Sequence, residues 1–280
     1  MTEAALSLPT TEPQMHRASA YAHAFGGLML RDICVLRREA AAFVVRTVMN
    51  PLFFVFVFTY VFPRIGQGFT TGSSVSFGTV ILPGLMAIAI MFQGIMAVAL
   101  PLAIELGVGG ELFDRIMAPL PTGGVAAEKI VFSAVQSVIA AGVVFPLAYF
   151  IPSMPVHVHV SSWAFLLTVI VLAGLVSGAM GLALGTIAKP QQINLIFAVV
   201  VIPVTFLGCV YYPWALLHSV RWLQVLVLLN PLVYMSEGLR AALTPALPHM
   251  PSPVVLAALV LSLLILSWIG IRGFVKRVIS

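Results

Sequence analysis

The chain has 280 residues, of which 61% are hydrophobic and only 8% charged. A soluble domain of this size carries roughly 25% charge, so the solvent facing most of this chain is lipid, and a soluble globular enzyme is excluded. The formal net charge of +5 is scattered around hydrophobic blocks, which excludes the one-sided basic face of a nucleic-acid binder.

Residues 1–20, MTEAALSLPTTEPQMHRASA, are polar and lack an early apolar run. They read as a disordered cytosolic tail, not a signal peptide. From Tyr21 to Ala42, apolar Phe25, Leu28, Met29, Ile33, Val35 and Leu36 alternate with Arg31, Asp32, Arg37, Arg38 and Glu39. That stretch is too charged to cross lipid and predicts an amphipathic helix lying in the interface, able to dock a cytosolic partner.

A helix needs roughly 20 apolar residues to cross a bilayer. Six blocks meet that need: residues 43–62, 80–104, 125–150, 163–188, 193–212 and 254–271. The fold expected is all-α and polytopic, with residues 21–280 as a single transmembrane domain. Eleven of the fourteen Lys and Arg fall on the side holding Arg17, Arg46, Arg115, Lys189 and Arg277, and three on the other, Arg64, Arg221 and Arg240. Positive charge marks the cytoplasmic side, and an even number of spans then puts both termini there.

Between the second and third blocks lies Glu105 to Pro121. Glu111, Asp114 and Arg115 fall within about one helical turn, Leu112, Phe113 and Ile116 give it an apolar side, and Pro119 and Pro121 end it. A short charged helix between two spans is costly to keep unless something packs on it. Glu128 and Lys129 begin the third block, where snorkelling to the interface is cheap. The fourth carries Gly174, Gly178, Gly181 and Gly185, two small-x-x-x-small pairs that let backbones approach closely. In the fifth, Pro203 removes a backbone donor and predicts a kink, followed by Thr205, Phe206 and Leu207. Asn194 sits near its cytoplasmic end. Met91, Phe92, Gln93 and Met96 in the second block are expected to face this region, and Met adapts to variable hydrophobic shapes. Gln93, Gln136, Asn194 and Thr205 also suit hydrogen bonds between helices.

Residues 213–253 lie on the outer side yet are mostly apolar. Val225 to Leu229 is too short to span before Asn230-Pro231, so a re-entrant hairpin buried in protein is expected. Glu237 and Arg240, three apart, can pair on one helix face. No His, Asp or Glu chain crosses the membrane middle, which argues against a proton-coupled carrier. No metal motif, nucleophile motif or Walker-type glycine loop occurs. The chain therefore holds no metal or cofactor of its own and is not expected to hydrolyse ATP.

Three stretches in this order carry a family resemblance: the interfacial helix before the first span, ELFDRIMAPLPTGGVAAEKIVF, and YYPWALLHSVRWLQVLVLLNPLVYMSEGLRAAL. Together they resemble the permease subunit of type-2 ATP-binding-cassette (ABC) exporters, over nearly the whole chain from about Ala22. Many members carry a Glu- and Arg-rich run ahead of the coupling helix, where this chain has LGVGG. The resemblance implies two permease chains in the inner membrane, most simply identical, and two copies of a cytosolic ATPase that carries ATP and Mg. Arg31, Arg37, Arg38, Glu105, Glu111, Phe113, Asp114 and Arg115 would meet the ATPase. The first, second and fifth spans would line a path through Phe92, Gln93, Met96, Asn194, Thr205, Phe206 and Leu207. The hairpin with Asn230, Pro231, Glu237 and Arg240 would gate its outer end. The cargo expected is amphipathic or lipid-like. A secondary carrier or flippase working without an ATPase is the alternative.

Overall fold

A computed structural model describes residues 17–65, 77–108, 121–151, 158–188 and 190–279. Among these residues all regular structure is helical. The first helix, α1 (Arg17–Arg38), has Leu28 on its buried side, in a cluster with Val98, Leu102, Val125 and Phe274. Arg31, Arg37 and Arg38 stay exposed. Arg37 and Arg38 occupy the last turn, where cations suit the negative end of the helix dipole.

Among the described residues five helices are long and apolar enough to cross a bilayer. They are α2 (Ala40–Val61), α3 (Phe77–Val108), α4 (Thr122–Phe150), α5 (Trp163–Ile187) and, last in the chain, α9 (Ser252–Ile279). With 32 residues, α3 reaches about 48 Å. That exceeds the roughly 30 Å hydrocarbon core, so it projects beyond the lipid.

Helices α3, α4 and α5 form the packed centre, and α5 owes its place to its small residues. A Cβ added at Gly174 would sit 3.0 Å from Ala134 Cα of α4, and one at Gly178 would meet Ser133 of α4. One at Gly181 would lie 2.8 Å from the Ile95 carbonyl oxygen of α3, and one at Gly185 3.0 Å from that of Ala99. The two glycine pairs thus serve two different neighbours. Gly94 of α3 completes the seam, since its missing side chain makes room for Ser177 of α5. Lipid offers no hydrophobic drive between helices, so this close backbone approach is what holds them.

The outer layer is looser. Two thirds of the α3 and α5 spans are buried, against 24% of α2 and 17% of α9. Val260, Leu261, Leu264, Ile265 and Trp268 of α9 are exposed, as suits a lipid-facing helix.

The fifth apolar block differs from expectation. Helix α6 covers residues 190–206 and stops there, short of residue 212. Its winding widens to a π turn over Phe197–Val201, directly ahead of Pro203. It ends because Gly208 lies against Leu232, where a Cβ would be 2.4 Å from its Cδ2, and Cys209 turns left-handed at φ 50°. A second π turn, Phe56–Val61, follows Pro51 in α2.

After α6 come α7 (Arg221–Leu229) and α8 (Pro231–Leu243), apolar enough together for one span but bent by 97° at Asn230. Asn230 caps α8, its Oδ1 accepting from the Leu232 N–H at 3.0 Å, while its Nδ2 donates to the Val204 carbonyl at 2.7 Å. Pro231 occupies the first helical position, where a missing N–H does no harm. The expected break at Asn230-Pro231 is therefore present, and it bends the hairpin back onto the end of α6.

Candidate functional site

Two ends of the bundle and a groove between them hold the residues singled out by sequence. At the α1 end, Glu105 in the last turns of α3 meets Lys129 in the second turn of α4. Lys129 Nζ donates to Glu105 Oε1 at 3.0 Å and lies 2.9 Å from Oε2. Both side chains are buried, and Glu128 is completely so. Lys129 therefore does not snorkel outward: the partner on α3 holds it inside. The two residues stand at the roots of the connection between α3 and α4. Glu111, Phe113, Asp114 and Arg115 of that connection lie outside the described residues.

This pair yields a direct prediction. Removing one partner of a buried ion pair costs about 3–5 kcal/mol. Glu105→Lys sets two cations against each other, so the variant should lose its monodisperse peak on heating well below the native protein. Adding Lys129→Glu should restore most of the lost thermal stability, as read by size-exclusion chromatography after a heat step.

Along α2 and α3 runs a string of buried polar side chains. Thr47 Oγ1 donates to Gln93 Oε1 at 3.2 Å, and Gln93 Nε2 donates to Gln136 Oε1 of α4 at 2.9 Å. The string forms one wall of a cavity of about 240 Å³ lined by Arg46, Thr47, Pro51, Ala89, Phe92, Gln93 and Met96. Below it, toward α1, a larger cavity of about 500 Å³ touches α1, α2, α3 and α4. Arg46 and Met96 line both. Phe92 also packs against Phe197 in the π turn of α6, ring centres 5.7 Å apart. The structure thus brings Phe92, Gln93 and Met96 to one groove.

The residues of α6 divide. Asn194 falls in the first turns, its side chain outside the described residues. Thr205 is buried, and its hydroxyl donates to the Val201 carbonyl at 2.7 Å, within its own helix. Leu207 is half-buried, while Phe206 is 63% exposed beside Tyr211. Tyr211 in turn contacts Phe58, which stacks on Phe54 of α2 and meets the Phe62 ring edge-on. An aromatic ladder therefore joins α2 to the far end of α6.

At that far end, Glu237 and Arg240 of α8 form the ion pair expected from their spacing. Neither is accessible: 1% and 0% of each side chain is exposed. The pair reaches well beyond its own helix. Glu237 Oε1 also accepts from the Trp214 N–H at 2.9 Å, and Oε2 from the Met250 N–H at 3.0 Å. Arg240 Nη2 donates to the carbonyl of Cys209 at 3.2 Å, and Ser236 Oγ to that of Gly208 at 2.8 Å. One carboxylate and one guanidinium therefore tie the end of α6, the start of the hairpin and the approach to α9 to a single helix. The backbone partners carry no sequence signature, which is why only the charged pair was legible in advance. Among the described residues no group of three or more His, Cys, Asp or Glu is placed to hold a metal.

The sequence pattern of the family described as ABC-2 type transporter matches residues 23–244. The chain is 29% identical over 203 residues to the inner membrane transport permease YadH of Escherichia coli strain K12, covering 70% of this chain and 75% of that protein. The same figures hold for the YadH proteins of Escherichia coli O157:H7 and Shigella flexneri. The matched residues run from α1 to just past α8 and take in both buried ion pairs, and the chain belongs to the ABC-2 type transporter family as a multi-pass membrane transport subunit.

Proposed function

We propose that the chain is the permease of an ATP-driven exporter in the inner membrane, with both termini cytoplasmic. It pairs with a second copy and with two cytosolic ATPase subunits that carry ATP and Mg. The inner-membrane placement rests on the names of the relatives and on the charge bias.

The observation that carries the reading is the groove of Phe92, Gln93 and Met96 between α2 and α3, next to the π turn of α6. Its wall is largely apolar, with amide groups already bonded to each other, so it suits an amphipathic or lipid-like cargo and not a bare ion. π turns cluster at functional sites, and here they fall in α2 and α6, the spans expected to line the path. In this reading α1 and the connection after Glu105 meet the ATPase. The Glu105–Lys129 pair would pass motion at that connection into α3 and α4 together. The hairpin tied by Glu237 and Arg240 would close the outer end, with Asn230 and Pro231 as its fixed corner.

The test is reconstitution with and without an ATPase subunit expressed from the same source. The purified chain alone should show no ATP hydrolysis, and the pair should hydrolyse ATP and move a fluorescent amphiphile across the vesicle wall. Asp114→Ala with Arg115→Ala should lower recovery of the ATPase on an affinity tag at least several-fold while membrane insertion stays native. Transport by the chain alone would establish the stand-alone carrier instead. Unchanged ATPase recovery by the double variant would remove the coupling role from this connection.

A further inference from the structure

The larger cavity at the α1 end has a composition that the transport path does not explain. It is lined by Arg31, Asp32 and Glu39 near α1, Arg46 of α2, and Glu105 and Lys129, along with apolar side chains of α3. Lys129 and Glu105 neutralise each other, and Asp32 has an interaction of its own. Among the described residues Arg31, Arg46 and Glu39 make no ion pair or side-chain hydrogen bond. The six charged side chains of the lining are three cations and three anions, so any preference for an anion comes from where Arg46 stands and not from net charge.

Arg46 stands where this polar chamber opens into the smaller apolar one, and Met96 shares that position. A guanidinium without a counter-charge at the edge of hydrocarbon calls for an anion, and its planar fork matches phosphate oxygens. Above it, Pro51, Ala89, Phe92 and Met96 offer apolar surface. The two chambers together are polar and charged at the interface, with Arg46 at their junction, and apolar toward the membrane middle. At about 500 Å³ the lower chamber alone falls within the range of small-molecule sites.

We propose that this double chamber binds one phospholipid of the adjacent leaflet, its phosphodiester on Arg46 and Arg31 and part of one acyl chain beside Met96 and Phe92. It shares Phe92 and Met96 with the groove assigned to cargo in the transport reading, and takes from that reading the naming of this leaflet as the inner one. The lipid would wedge between α1, α2 and α3, and so set the angle at which the interfacial helix joins the first span. The negative charge of the inner leaflet favours occupancy by an acidic lipid over a zwitterionic one.

The probe is phosphatidylglycerol, with diacylglycerol and inorganic phosphate as the two halves offered separately. The full chain, purified in detergent, is exposed to each, and bound lipid per chain is counted by native mass spectrometry. One phosphatidylglycerol per chain should survive delipidating washes. Arg46→Gln should lower its retention about tenfold, the scale of one lost charge-assisted contact. Met96→Trp, which fills the upper chamber and leaves every charge in place, should lower it too. Arg272→Gln, at a cation lying over the Trp268 ring of α9, should change nothing. Equal retention by native protein, Arg46→Gln and Met96→Trp would overturn the proposal. So would displacement of the lipid by millimolar inorganic phosphate, which would mark a soluble-anion site. These readings need no ATPase and no cargo, so their failure leaves the export reading standing, and failure of export leaves them standing.

Discussion

Arg240→Ala should strongly destabilise the hairpin. Its guanidinium is completely buried, paired with Glu237 and bonded to the Cys209 carbonyl. Truncation leaves a carboxylate in a site with almost no water, and an uncompensated buried charge costs about 3–5 kcal/mol. Glu237 keeps its two backbone donors from Trp214 and Met250, which places the expected loss nearer the lower figure. Glu237→Ala should cost more, because it strands the arginine and two buried backbone N–H groups together. Replacing both, Arg240→Met with Glu237→Gln, removes the charges and retains an acceptor, and should recover part of the loss. Thermal unfolding in detergent gives the order. Native-like stability for Arg240→Ala would show that the pair is dispensable.

Gly84→Ala should open the same end from the opposite wall. A Cβ on Gly84 of α3 would sit 2.0 Å from the Val210 carbonyl oxygen and 2.6 Å from its carbon. All three nearest atoms are backbone, so no side chain can swing away, and either α3 or the segment after α6 must move. Overpacking of this kind costs about 1–3 kcal/mol. Cys209, next to Val210, reports the movement, since it is fully buried whereas Cys34 is exposed. Maleimide should label Cys34 and spare Cys209 in the native protein. In Gly84→Ala both should react, the Cys209 rate rising at least tenfold. Gly142→Ala is the control, because nothing lies within 4 Å of its added carbon. Slow Cys209 labelling in Gly84→Ala would mean that the contact is not tight in solution.

Much of this architecture was legible because lipid simplifies the reading. Long apolar blocks interrupted by charged or glycine-rich stretches leave little choice but helices, and Asn230-Pro231 announced the bend. The glycines of α5 announced close packing, although not that one pair serves α4 and the other α3. Two features escaped because they depend on tertiary partners. Lys129 lies near the end of a span, where snorkelling is the default, and only the approach of α3 supplies Glu105 as the alternative. The early stop of α6 escaped because residues 207–212 carry no charge and continue the apolar block. Their departure from helix is set by Gly208 against Leu232 and by the left-handed turn at Cys209. Arg46 also counted only as one of the charges marking the cytoplasmic side until its place between two chambers was visible.

The π turns at Phe56–Val61 and Phe197–Val201 bear on how long this chain is allowed to be. Each residue of an α-helix advances about 100° around the axis. Dropping or adding one residue in ordinary winding therefore turns everything beyond it to a new face. A π turn already stores one residue more than an α turn holds. Losing that residue relaxes the turn to α winding and leaves both flanks pointing as before. In α2 and α6 alike, the spans thus absorb the loss of one residue at these two places, whereas the same loss in their ordinary winding turns one flank to a new face.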